Sequence, residues 1–175
     1  MAKVLPLFAI APADQGGLAL GNETYAVLRI PTAILGLALG GIFGSIVVTR
    51  RGLARSLLPL GLLMHLPLVG IAWLAAHPTA GLPTISVLFF VEYFAYGAGV
   101  CALLLAMMKM ASGEEAATRY ALLSTIALLA SYFPGLWAGA LAQHFGYAHY
   151  FLFALALAIP GLWAASAGRR AFAEA

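Results

Sequence analysis

The sequence predicts an all-α integral membrane helix bundle, with five full transmembrane helices and a partial one at the N-terminus. Three observations lead there. Of its residues 63% are apolar and 9% charged, with mean hydropathy +0.99, a composition that a water-facing globule does not carry. Runs at 25–49, 56–76, 84–109, 119–141 and 147–167 reach the roughly 20 residues needed to cross a hydrocarbon core about 30 Å thick. Most charges fall between these runs, as expected of loops outside lipid. The excess of 9 Lys and Arg over 6 Asp and Glu is therefore topological, and it supports neither a nucleic-acid platform nor an enzyme for acidic substrates. The sequence divides into 1–24, a partial helix and external loop; 25–167, a transmembrane half-bundle; and 168–175, a cytoplasmic tail.

The opening run Val4–Ala11 is too short to span and lacks the features of a secretory signal. It reads as the end of a sixth helix whose beginning is absent, the alternative being a short re-entrant or interfacial leader. Basic residues then set the orientation. Arg50, Arg51 and Arg55 follow the first full span, Lys109 and Arg119 flank the link after the third, and Arg169 and Arg170 lie in the tail. Links 77–83 and 142–146 contain no Lys or Arg. The positive-inside rule puts the basic links and the C-terminus in the cytoplasm and Pro12–Thr24 outside. Lys3 then falls inside, so the chain must cross once before Tyr25, which again points to a missing N-terminal portion.

In the first full span Gly36, Gly40 and Gly44 recur every fourth residue, a ladder that permits close helix approach where lipid supplies no hydrophobic drive. Pro31 in that span, Gly97 and Gly99 in the third, Pro134, Gly135 and Gly139 in the fourth, and Pro160 and Gly161 in the fifth suit bent, closely packed helices, although ordinary membrane packing uses the same residues.

Two ionisable residues inside spans carry more information. Glu92 lies about nine residues into its helix, roughly 13 Å from the outer end and near the midplane. Phe89, Tyr96 and Gly99 share its face and Tyr93 adjoins it. A charge there is costly without water or a donor, so Glu92 is a candidate substrate contact, proton carrier or ion-pair partner, against a purely structural hydrogen bond. Arg29 lies about one turn below the outer surface, on one face with Ala33, Gly36 and Gly40, and either points into protein, within reach of Glu92, or snorkels to the headgroups.

The remaining polar residues read as structural. His65 in the second span can titrate near neutrality but suits a hydrogen-bonded packing role better. Lys109 reads as an interface anchor, Cys101 as a small core residue, and Ser124 and Thr125 as local helix hydrogen bonders. Tyr120 and Tyr132 suit belt or packing roles. His77, His144 and His149 lack partners at metal-ligand spacing, and no metal or cofactor is expected. Without a catalytic cluster or nucleophile elbow, an enzyme is disfavoured.

Three stretches resemble the C-terminal half of a major facilitator superfamily transporter, most closely the branch of muropeptide permeases and acetyl-CoA-transporter-like proteins. GGIFGSIVVTRRGLARSLL is similar to the family's cytoplasmic loop motif, with Gly44, Arg50, Arg51, Gly52 and Arg55 at its glycine and basic positions and Thr49 where an acidic residue is usual. VEYFAYGAG at 91–99 resembles the acidic, aromatic and glycine-rich part of helix 10, and RYALLSTIALLASYFPGLWAGALAQHFGYAHYF resembles helix 11 and the turn into helix 12. The resemblance implies part of helix 7 and all of helices 8 to 12, with Arg29 and Glu92 on cavity-facing helices 8 and 10 and His65 on peripheral helix 9.

The function so implied is secondary transport of a polar, anionic small molecule across the cytoplasmic (inner) membrane, by a fragment of a 12-helix transporter. Arg29, Glu92, Tyr93 and Tyr96 would line the substrate and proton pathway, with proton or ion coupling. The partners are the lipid bilayer, the small-molecule substrate, and the missing N-terminal half or another half-bundle. The alternative is a membrane binding or assembly module that pairs with another half.

Overall fold

A computed structural model describes residues 4–77 and 79–174, with the side chains of 169–171, 173 and 174 left aside. Lys3 and the side chains of Arg169 and Arg170 thus lie outside the described residues. The elements are α1 (Val4–Ile10), a 3-10 turn (Ala13–Gln15), α2 (Asn22–Arg51), α3 (Leu53–His65), α4 (Pro67–Ala76), α5 (Leu82–Met110), α6 (Ala116–Phe145), α7 (Tyr147–Ala156) and α8 (Ala158–Glu174). Together they form five spans long and apolar enough to cross a membrane: α2, α3 with α4, α5, α6, and α7 with α8 through Gly168. The five expected runs fall inside these spans.

Two spans are interrupted where proline meets a helix start. Pro67 opens α4 directly after Leu66, and Pro160 sits in the first turn of α8, where each removes an intrahelical donor from the turn before it. Pro31, Pro59 and Pro134 lie in unbroken helices. Beside Pro31, which leaves the Val27 carbonyl without its helical donor, the Thr32 hydroxyl shares its one hydrogen between the carbonyls of Leu28 at 2.7 Å and Arg29 at 3.0 Å.

Packing is concentrated in two clusters. One joins α1, the start of α2, α4, α5, α6 and α7 at the end of the bundle away from Arg50, Arg51 and Arg55, through Phe8, Tyr25, Leu68, Ile71, Leu74, Phe89, Ala138 and Phe151. The other joins α3 and α5 through Leu60, Ala98 and Ala102, with Val47 and Val48 of α2 against them. Helix α1 is thus a core element: Phe8 is fully buried, with ring centroids 5.3 Å from Tyr147 and 5.4 Å from Phe151. The chain after it doubles back, and the amides of Leu18 and Leu20 donate to the carbonyls of Phe8 and Ala9, satisfying acceptors that a helix C-terminus leaves open. Elsewhere the surface is apolar, as lipid contact requires: Leu136 is 73% and Trp163 72% exposed.

Candidate functional site

The glycine ladder builds the site. Gly36, Gly40 and Gly44 are buried where α2 lies against α5. A Cβ on Gly36 would stand 2.7 Å from the Tyr93 Cβ, one on Gly44 would stand 2.7 Å from the Ala98 carbonyl oxygen, and one on Gly40 would overlap the Phe94 carbonyl oxygen. Gly97 answers from α5, where a Cβ would stand 2.7 Å from the Leu37 carbonyl oxygen. Contacts advance together along both helices, from Tyr25 on Phe89 to Gly44 on Ala98, so α2 and α5 run parallel. Backbones this close hold the side chains above the ladder in fixed register.

About two turns before Gly36 on this face, Arg29 reaches across. Its Nε–H donates to the Tyr93 hydroxyl at 2.9 Å, and its guanidinium carbon lies 5.7 Å from the Tyr25 ring centroid. Tyr25 in turn meets Phe89 edge to face, with centroids 6.3 Å apart. One tyrosine of α2 and one of α5 therefore hold the cation, with Phe89 behind Tyr25, and Arg29 points into protein as its helical face predicts. Only one of its five donors is used in this bond.

Glu92 adjoins Tyr93 in sequence but sits about 100° round the helix from it. It belongs to the buried stripe Ile85, Phe89, Ala95, Gly99 and Ala102. Lower on this stripe, the position of a Gly99 Cβ would be 2.7 Å from the Met64 Cβ of α3. Glu92 is 9% exposed, and its Oε2 has no hydrogen-bond partner among the described residues. The Tyr25 hydroxyl is likewise buried without a partner. No ion pair joins Arg29 to Glu92 among the described residues; the ion pair present, Arg119 with Glu115, spans 4.0 Å at the surface. The guanidinium expected near Glu92 is instead held by Tyr93, because α2 faces the Tyr93 side of α5. Tyr96 is 41% exposed and lines an apolar groove with Leu37, Gly41, Gly97 and Cys101, apart from the Arg29 cluster.

The loop motif forms a compact corner. Arg50 and Arg51 close α2, Gly52 takes φ 77°, and Arg55 lies in the first turn of α3. Ser56, which sequence reasoning passed over, locks the corner: fully buried, it donates to the carbonyls of Gly52 at 2.8 Å and Val47 at 3.3 Å. Its signal was its place four residues after the turn glycine, where a hydroxyl reaches back to the helix start. Lys109 lies 5.4 Å from the Phe172 ring centroid.

Other polar side chains are engaged locally. His65 Nδ1 meets the Gly61 carbonyl oxygen at 2.8 Å, and His77 stacks on Trp73. Ser124 and Thr125 both donate to the Ala121 carbonyl oxygen of their own helix. Among the described residues no three His, Cys, Asp or Glu side chains converge on a metal position.

Comparison with known proteins agrees with this architecture. The chain is 30% identical over 83% of its length to an uncharacterized protein of Haemophilus influenzae, 28% over 85% to the anhydromuropeptide permease of Escherichia coli K12, and 29% over 79% to a putative transporter, AmpG 4, of Rickettsia conorii. These relationships support a transporter family of the major facilitator kind. The chain spans about a third of the length of the relatives it matches: 36%, 29% and 33% respectively. No family model matches it, and no solved structure does. Two of these relatives carry names of transport proteins, a permease and a putative transporter, and the five apolar spans of this chain match such an architecture.

Proposed function

We propose that this chain is a C-terminal half-bundle of a secondary transporter, corresponding to part of helix 7 and helices 8 to 12, which moves a polar, anionic small molecule across the cytoplasmic membrane. Within it, 1–24 form a partial helix and external loop, 25–167 the half-bundle and 168–175 a cytoplasmic tail. The observation that carries the reading is Glu92: a carboxyl buried in a span, with an oxygen lacking a protein partner, is expensive to retain unless it meets a solute, a proton or water. One residue on, Tyr93 fixes a cation suited to a carboxylate or phosphate. The relatives named as permeases add a solute class, the anhydromuropeptides.

In this mechanism the site lies near the midplane between two half-bundles that rock about it. Arg29 draws the anionic group and keeps its aim through Tyr93. Glu92 carries the coupling proton or ion and hydrogen-bonds the solute, Tyr96 offers a ring and hydroxyl from the adjoining groove, and the Arg50, Arg51 and Arg55 corner works as the cytoplasmic gate. The second reading, a membrane assembly module, draws on α6, which has Ala138 and Ala142 as its buried residues and leaves most of its length free for another half.

Transport by the complete protein, reconstituted in sealed liposomes, tests the proposal. Glu92→Gln should abolish gradient-driven uptake of labelled anhydromuropeptide and leave solute exchange in place. Near-wild-type uptake across pH would remove the coupling role. Saturable, gradient-driven uptake by this chain as a monomer would remove the need for a second half.

A further inference from the structure

We infer that the corner between α2 and α3 is a binding site for the phosphate headgroup of an anionic membrane lipid. A cavity of about 550 Å³ opens there, lined by Arg51, Leu53, Arg55, Lys109 and Phe172. It gathers cations from three elements, the end of α2, the start of α3 and the end of α5, and is walled by an aromatic residue of α8. Nothing in the transport reading uses Lys109 or Phe172.

The electrostatics are one-sided. No carboxylate lines the cavity among the described residues, and the Glu115–Arg119 pair lies outside it. Arg55 stands in the first turn of α3, where the helix dipole disfavours a cation, and that turn has no acidic residue and no side-chain cap. Three like charges and the positive end of a helix thus converge with no counter-charge among the described residues, an arrangement that a bound anion stabilises. Gly52, in the left-handed region at φ 77°, makes the sharp corner that brings Arg51 and Arg55 to one cavity, and buried Ser56 holds it.

The lining also selects the source of the phosphate. Leu53 and Phe172 give the cavity an apolar wall, and Phe172 already receives Lys109 over its ring. The site lies at the ends of spans whose flanks are apolar, the level at which headgroups reside. A soluble phosphate would meet the cations and leave the wall unused, whereas a phospholipid offers phosphate to the cations and glycerol and upper acyl carbons to Leu53 and Phe172. This inference rests on the membrane-spanning architecture and is independent of what the chain transports.

The test uses the full chain in mild detergent, with dioctanoyl phosphatidylglycerol, dioctanoyl phosphatidylcholine and glycerol 3-phosphate as probes in native mass spectrometry. Phosphatidylglycerol should be retained in preference to both others, and Arg55→Gln and Lys109→Gln should each weaken it about fivefold. Arg119→Gln removes the same charge outside the cavity and should leave retention within twofold. Equal loss in Arg119→Gln would reduce the effect to general surface charge and overturn the site. Glycerol 3-phosphate retained as well as the lipid would overturn the lipid source. For a readout that needs no variant, a photoreactive phosphatidylglycerol carrying its label in the headgroup should modify peptides containing 51–55 and 109 of the unaltered chain. Label spread evenly over both ends of the bundle would overturn the proposal.

Discussion

Arg29 and Tyr93 show how one bond can decide which residues act together. Both were legible in sequence as site candidates, Arg29 because a cation in a span needs a partner and Tyr93 because it adjoins Glu92. Their pairing was not legible, since it depends on which face of α5 meets α2, and helical periodicity within one strand of sequence does not contain that rotation. The glycine ladder settles it by packing α2 on the Tyr93 side. In thermal unfolding in mild detergent, Arg29→Gln and Tyr93→Phe should therefore be non-additive, with a coupling on the order of 1 kcal/mol, while Arg29→Gln and Glu92→Gln should add. Strong coupling in the second cycle and none in the first would restore the pairing with Glu92 that depth alone suggested.

For the helices themselves, length and composition are nearly sufficient. A run of about 20 apolar residues has few alternatives to a spanning helix, so the five spans and the burial of Gly36, Gly40 and Gly44 could be read directly. The breaks could not, because proline accompanies them without being sufficient for them. Pro67 and Pro160 accompany breaks, whereas Pro31, Pro59 and Pro134 are carried in continuous helix. Nor could the seating of α1, a seven-residue helix whose place is fixed by Phe8 meeting rings from α7. The ladder itself offers a paired test on one helix. A methyl at Gly40 runs into the Phe94 backbone, which cannot step aside without separating α2 from α5, while a methyl at Gly41 meets nothing within 4 Å. Gly40→Ala should lower stability by about 1–3 kcal/mol and loosen the Arg29–Tyr93 bond, and Gly41→Ala should be neutral or slightly stabilising. Equal melting temperatures for the two variants would mean that the close approach contributes little.

Across the whole molecule the charges separate by end. Arg51, Arg55 and Lys109 line one cavity, while the turns at Gly81 and Gly146 lie at the other ends of their helices and carry no Lys or Arg. Basic residues are retained on the cytoplasmic side during insertion, so the orientation we propose puts this cluster in the cytoplasm, and with it sets the side from which Glu92 and the Arg29 cluster would be reached. Gly52, Gly113 and Gly146 would be natural places for accessibility probes, but their φ values of 77°, 94° and 78° lie in the left-handed region, where a side chain strains the turn under study. Exposed neighbours serve better: Ser112 at the basic end, and Thr79 and Gln143 at the other. In a Cys101→Ser background, single cysteines at Thr79 and Gln143 should react with a membrane-impermeant maleimide in intact cells, and one at Ser112 should react after permeabilisation. The reverse pattern would invert the bundle. It would put the phosphate-binding corner outside and turn the arginine gate away from the cytoplasm, so this one measurement constrains the transport proposal and the lipid site together.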